Sequence, residues 1–238
     1  MPERDRPLLA VLIDADNVPA RYAGSILEEI KRIGEPALRR VYGDWSSGRL
    51  NSWAKTIQSL GLVAHQETAN TTGKNASDIG LVIDAMDILH GGRFDGFVLV
   101  SSDSDFTALA NRLREDGLMV VGIGEDKAPE SLRNVCNRFI LIENLNGDES
   151  GSKDRPAAKK PKESLNHAYQ RISNAMKKIE QDDEWYNLSQ IKNEIVAAHS
   201  DFDQRTYGHA KFSSLVGALS DRLETKTQGK TILVRLKP

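Results

Sequence analysis

Cysteine is almost missing from these 238 residues: Cys136 stands alone, so no internal disulfide can form. The five histidines do not combine with it at zinc-ligand spacing, which argues against a structural zinc site. No apolar run approaches the ~20 residues that span a bilayer. The opening MPERDRP leads straight into a short strand-like run instead of a signal-peptide core, so the expected location is cytoplasmic. Internal repeats are also absent, as is low-complexity sequence outside one stretch after residue 145. What is present is 39% hydrophobic and 28% charged, the composition of a soluble globular chain with room for one ordinary domain and a small one.

The net charge of −2 hides an uneven distribution. Residues 1–145 hold 16 basic against 21 acidic side chains, whereas residues 146–238 hold 16 against 13. A nucleic-acid partner is therefore expected to lean on the second half.

Through residue 145 short apolar runs alternate with amphipathic stretches, the pattern of βαβ units and a parallel sheet, hence an α/β fold. Strands are predicted at 8–13, 38–42, 62–64, 96–100, 118–122 and 139–142. Helices are predicted near 19–33, 48–59, 76–90, 106–115 and 129–136. Residues 146–163, NGDESGSKDRPAAKKPKE, lack large apolar side chains and read as a flexible linker. Its KDRPAAKKPK carries five cations against one acid, which suits a solvated tether better than a dedicated RNA contact. Residues 164–238 then offer helices near 165–179, 188–198 and 209–223 and a terminal hairpin turning at Gln228 and Gly229, the elements of a small winged helix.

Three motifs carry chemistry. In IDADNVPA a strand ends at Ile13, and Asn17 is a good N-cap for a helix starting near Val18 or Pro19. Asp14 and Asp16 alternate in direction if the extended geometry persists, so Asp14 alone is expected at a site; as plain helix caps, both would serve the helix dipole instead. In TGKNASDIGLVIDAMDIL, Asp78 begins the helix face continued by Val82, Ala85 and Leu89. Asp84 and Asp87 fall about 240° and about 180° away, which makes them surface positions, Asp84 being an outside candidate. Lys74 lies in a loop with Thr71, Thr72 and Gly73, where an ammonium could meet a phosphate or simply be solvated. In FVLVSSDSDFTALANRL a buried strand runs into Ser101, Ser102, Asp103 and Asp105 before another helix. Open α/β sheets bring such strand ends together. Several carboxylates in one place would force protonation unless a hard cation such as Mg²⁺ or Mn²⁺ joined them.

Together IDADN, KNASDIGLVIDAMDIL and VSSDSDF, with RVYGDW at 40–45, resemble the NYN domain of the PIN-like nucleases, particularly its LabA-like bacterial branch, over about residues 7–145. The resemblance implies a PIN-like parallel sheet flanked by helices and a hydrolase: a metal-dependent endoribonuclease using Mg²⁺ or Mn²⁺. It implies an acidic pocket of Asp14, Asp78, Asp103 and Asp105 with Asn17 beside it, and Ser101 and Ser102 as small polar residues at the substrate. TYGHAKFSSLVGALSDRLETK resembles a LOTUS domain, also called OST-HTH, which implies RNA binding or a protein partner. In that half Arg205, Lys211, Arg222, Lys226 and Lys230, with His209 and Arg235, surround the third helix and wing, where phosphates are usually met; ordinary surface charge is the rival reading. Tyr207, Trp185 and Tyr186 serve either a core or a base.

Three functions are weighed. The first is an endoribonuclease whose winged helix recruits RNA, expected single-stranded, with DNA still open as a substrate. The second is a non-catalytic RNA-binding or adaptor protein that retains the pocket as a metal or structural site, with homodimer and protein-partner roles open. The third, an aspartyl-phosphate phosphatase suggested by Asp-x-Asp, lacks a suitably placed lysine after the third motif.

Overall fold

Leu9–Ile13 are wholly shielded from solvent, as expected of a strand covered on both faces. They belong to β1 (Leu8–Asp14), the first of six parallel strands that continue with β2 (Glu35–Gly43), β3 (Val63–Gln66), β4 (Gly96–Val100), β5 (Met119–Gly124) and β6 (Arg138–Leu141). The computed structural model describes residues 5–66, 76–145, 163–181 and 183–237. The chain divides into two units, Met1–Asp148 and Glu149–Pro238.

In the first unit the strand order is β3-β2-β1-β4-β5-β6. The chain winds outward from β1 through β2 to β3, returns to the middle at β4, and winds outward the other way. Alternation sends Leu9, Val11 and Ile13 into one core, where α1 (Ala23–Ile33) contributes Ile26 and Ile30 and α2 (Asn51–Leu60) contributes Trp53. Ala10 and Leu12 enter the opposite core, covered by α3 (Ala76–His90), α4 (Phe106–Glu115) and α5 (Glu130–Val135). Strand ends of β1 and β4 thus lie side by side at the point where the winding reverses, the place open α/β sheets reserve for ligands.

The six strands occur where expected, with β2 starting earlier and β5 ending later than predicted. The first helix differs more. Asn17 does not cap it; Pro19 precedes a short 3₁₀ turn at Ala20–Tyr22, and α1 follows at Ala23. The Asn17 side chain is instead held at Asp14, to whose carboxylate its Nδ2 donates.

In the second unit α6 (Leu165–Lys178), α7 (Leu188–Ala198) and α8 (Phe212–Gly217) surround a core of Ile172, Met176, Ile191, Ile195, Phe202, Tyr207, Leu215 and Val216. Ser164 and Asn187 cap α6 and α7 with side-chain acceptors. A three-stranded antiparallel sheet of order β7-β9-β8 completes it, from β7 (Tyr186–Asn187), β8 (Leu223–Gln228) and β9 (Thr231–Leu236). The third helix is shorter than 209–223 because residues 218–222 are turns that redirect Leu219 and Leu223 into the core. The hairpin turns one residue later than expected: Gln228 still pairs with Thr231, and Gly229 takes a φ of 62° that suits glycine. Among the described residues no helix is long and apolar enough to cross a membrane.

Candidate active site

Asp14 ends β1 and is buried, with 1% of its surface exposed. Its Oδ1 accepts the backbone N–H groups of Asp16 (3.1 Å) and Asn17 (3.2 Å), while Oδ2 accepts from Asn17 Nδ2 (2.6 Å) and Ser101 Oγ (2.8 Å). Burial raises its pKa, and the donors from Asn17 and Ser101 work against that rise. The carboxylate is thereby oriented from both halves of the sheet.

Ser101 and Ser102 follow β4. The Ser101 hydroxyl, expected at the substrate, instead donates to Asp14 and accepts from the Asp103 N–H at 3.1 Å, and it is buried. Its part is to hold two acids. The Ser102 hydroxyl accepts from the Glu125 N–H at 2.7 Å. Asp103 Oδ1 in turn accepts from the Asp105 N–H at 3.0 Å, and Asp105 precedes the first turn of α4, where negative charge is favoured. Gly124 permits this arrangement, because a Cβ there would lie 2.6 Å from the Ser101 carbonyl oxygen.

Asp78 enters from the first turn of α3. Its pKa is pushed up to about 6, first by burial and then by the charges of Asp14, Asp103, Asp105 and Asp16. The four expected acids therefore share one electrostatic field, and Asp16 joins them. Alternation had placed Asp16 away from the site, but the chain turns immediately after Asp14, so the extended geometry does not persist. Asp16 accepts from Ser77 Oγ at 3.1 Å and lies 3.8 Å from an Arg49 guanidinium nitrogen. The Asx-type turn in D-A-D-N was the available signal.

Asp84 is not part of this field. It receives the Arg40 guanidinium and the Tyr42 hydroxyl, pinning α3 to β2, and is half-buried rather than a free surface acid. Lys74 lies outside the described residues. Beside the acids a cleft of about 420 Å³ is lined by Asn17, Ser102, Asp103, Ser104, Lys127 and Pro129. Lys127 comes from the loop after β5; it was missed because no periodic pattern relates it to the three motifs.

Among the described residues no three His, Cys, Asp or Glu side chains converge closely enough to ligate one ion together. The donor set consists of oxygen atoms alone, and burial together with the neighbouring acid charges disfavours an ionised Asp78. That combination fits a hydrated hard cation, which takes one or two carboxylates directly and keeps several waters.

In the second unit the expected cations divide into two groups. Arg205 makes a two-pronged contact with Asp203, Arg222 reaches Asn166 and Asp221, and Arg235 pairs with Glu224 and Glu184. Their charge is largely answered within the unit. Lys211 and Lys230 are exposed, and Lys226 places its ammonium 4.0 Å from the centre of the half-buried Trp185 ring. Tyr207 is buried beside Phe202 and serves the core.

The NYN domain family model matches residues 8–143, and the OST-HTH/LOTUS domain model matches residues 156–234. The chain belongs to the NYN domain family. This NYN domain is followed by an OST-HTH/LOTUS domain, as its sequence led us to expect. NYN domains belong to the PIN-like nuclease superfamily, whose members generally use divalent metals, and OST-HTH domains bind RNA. A crystal structure of VPA0982, a protein of unknown function from Vibrio parahaemolyticus, is 19% identical, covers 60% of this chain and 96% of its own, and superposes with a TM-score of 0.50, a likeness of fold. An uncharacterized protein from gene locus NE0665 of Nitrosomonas europaea is 28% identical over 38% of this chain and 92% of its own, with a TM-score of 0.29. MurG of Acinetobacter baumannii is 12% identical over 82% of this chain and 65% of its own, with a TM-score of 0.38. Neither of the last two superposes well enough to inform function. No curated protein matches the chain.

Proposed function

We propose that this NYN protein is a metal-dependent endoribonuclease whose OST-HTH domain recruits the RNA. The observation that carries the reading is the meeting of Asp14, Asp78, Asp103 and Asp105 at the strand ends, where burial first, and then the charges of the other three acids, raise the pKa of Asp78. A phosphodiester is repelled by such a cluster unless a cation lies between, so the pocket suits phosphate chemistry only with a divalent ion. One or two of Asp78, Asp103 and Asp105 would hold Mg²⁺ or Mn²⁺ directly and the rest through water, with Asp14 oriented by Asn17 and Ser101. When bound, the ion supplies charge neutralisation at the phosphate and acidifies an attacking water. Hydrolysis with departure of the 3′-oxygen leaves a 5′-phosphate.

The protein's own groups set the geometry. The buried Asp14 carboxylate, engaged through both oxygens, is a poor nucleophile, which disfavours the aspartyl-phosphate route. Lys211, Lys226 and Lys230 would meet RNA phosphates, and tethering two domains raises the local concentration of strand near the acids. The spacing of the acids, too wide for three to ligate one ion together, favours the adaptor protein as the second reading.

Cleavage of labelled single-stranded RNA and DNA in Mg²⁺, Mn²⁺ or EDTA separates the two. Metal-dependent cutting by the wild type, lost in Asp103→Asn, is the expected result. Binding without cutting under every ion would establish the adaptor instead.

A further inference from the structure

Lys127 lines the cleft beside the acids together with Asn17 from the loop after β1 and Ser102, Asp103 and Ser104 from the loop after β4. About 420 Å³ falls within the roughly 300–1,000 Å³ of typical ligand sites. The remaining wall is mostly neutral and rich in hydrogen-bonding groups: the Asn17 amide and the hydroxyls of Ser102 and Ser104. Ser102 accepts from the Glu125 backbone, so its hydroxyl hydrogen remains to be donated. Asp103 is the single acid of the lining, and Lys127 the single cation.

The Lys127 ammonium sits 2.6 Å from Glu125 Oε2, with 66% of its side chain exposed. The lysine end is exposed while Glu125 is only 28% exposed, and the solvated ammonium is free to exchange partners. A phosphodiester entering the cleft offers the ammonium an equivalent anionic oxygen, and Glu125 competes with it. Nothing else in the lining could answer a phosphate charge so close to four acids.

We propose that this cleft is a nucleotide subsite, in which Lys127 contacts a strand phosphate beside the bond that is cut and Glu125 restrains that contact. The identity of the cut bond rests on the nuclease reading; occupation of the cleft by RNA does not.

The test uses the full chain and single-stranded RNA. With Mg²⁺ or Mn²⁺, Lys127→Ala raises KM roughly three- to tenfold with kcat nearly unchanged, and flattens the slope of log(kcat/KM) against log salt by roughly 0.7, the loss of one single-strand phosphate contact. Lys127→Arg stays within roughly twofold of the wild type, since the charge is kept. Glu125→Gln moves the other way and lowers KM, because the ammonium loses its competitor. That opposed pair is not expected of mere structural damage. Unchanged KM and salt slope in Lys127→Ala would overturn the proposal, as would a higher KM in Glu125→Gln with an unchanged melting temperature. If the wild type cuts no RNA, the nuclease reading fails on its own, and crosslinking of 4-thiouridine RNA decides this one. Crosslinks to residues around 102–104 and 127–129, lost in Lys127→Ala while those to the OST-HTH domain persist, support it; a wild type crosslinked only in the OST-HTH domain refutes it.

Discussion

Asp78→Asn should make the metal-free protein more stable while abolishing metal-dependent cleavage. The pKa of Asp78 moves from an ordinary 3.8 up to about 6, so its ionised form is disfavoured in the fold by about two units. At 1.36 kcal/mol per unit the ceiling is ~3 kcal/mol. Asp78 is only partly buried, and screening by solvent reduces that figure. A carboxylate in the first turn of α3 also gains ~0.3–1 kcal/mol from the helix dipole, which asparagine forfeits. A net gain of about 1 kcal/mol is left, equivalent to a rise of roughly 2–4 °C in melting temperature for a unit of this size. The pH dependence follows from the direction of the shift. Below 3.8 both folded and unfolded chains hold the proton and the charge costs nothing; the cost grows as pH rises from 3.8 and is complete above about 6. Thermal melts in EDTA should therefore show the mutant gain at pH 7.5 and its disappearance near pH 4. Added Mg²⁺ should raise the wild-type midpoint more than that of the mutant. A mutant that melts at or below the wild type at pH 7.5, or a gain equal at both pH values, would refute a cost of ionising Asp78 in the fold.

Asp84→Ala should behave in the opposite manner: stability falls by ~1–3 kcal/mol because Arg40 and Tyr42 lose a partly buried acceptor, while kcat stays near wild type because Asp84 is outside the acid field. Parallel melts and cleavage assays check both halves. Gly124→Ala should cost ~1–3 kcal/mol by overpacking, since its Cβ would stand 2.6 Å from Ser101 O and 3.0 Å from Ser102 Oγ. Displacement of that turn should also lower kcat at least tenfold, as a 1 Å error at reacting groups commonly does; a fully active variant would show that the turn tolerates movement. Burial pushes the Cys136 thiol up to about 12, so iodoacetamide should label it in denaturant and not in the native protein, as intact-mass measurement would show.

Much of this molecule can be read from its residues because buried parallel strands are short, apolar and bounded, as GFVLV is. The strand positions and the grouping of Asp14, Asp78, Asp103 and Asp105 follow from such runs together with the rule that ligands gather at strand ends; the order β3-β2-β1-β4-β5-β6 does not. What escapes is decided by turns and by side chains competing for partners. Asn17 has the chemistry of a helix cap, yet the chain turns through Pro19 and Ala20–Tyr22 before α1 starts, and the Asn17 Nδ2 donates to Asp14. Asp16 should point away by alternation, yet the strand has already ended. Ser101 sits where a substrate contact is expected, but its hydroxyl bonds Asp14. Lys127 reaches the cleft through the loop after β5, and no spacing rule connects it to the acids. The basic residues of the second unit look alike in sequence; only their partners separate Arg205 from Lys211.

The reversal of winding between β1 and β4 has a bearing on when the acid cluster comes together during synthesis. Asp14 closes the first strand, Asp78 rides on the crossover helix that joins the two halves of the sheet, and Asp103 and Asp105 follow the first strand of the second half. A growing polypeptide that has emerged only as far as α3 has two of these acids and no Ser101 to orient Asp14. The acid cluster is assembled only once β4 has paired with β1, so on the nuclease reading a half-made chain emerging beside its own message would not yet cut it.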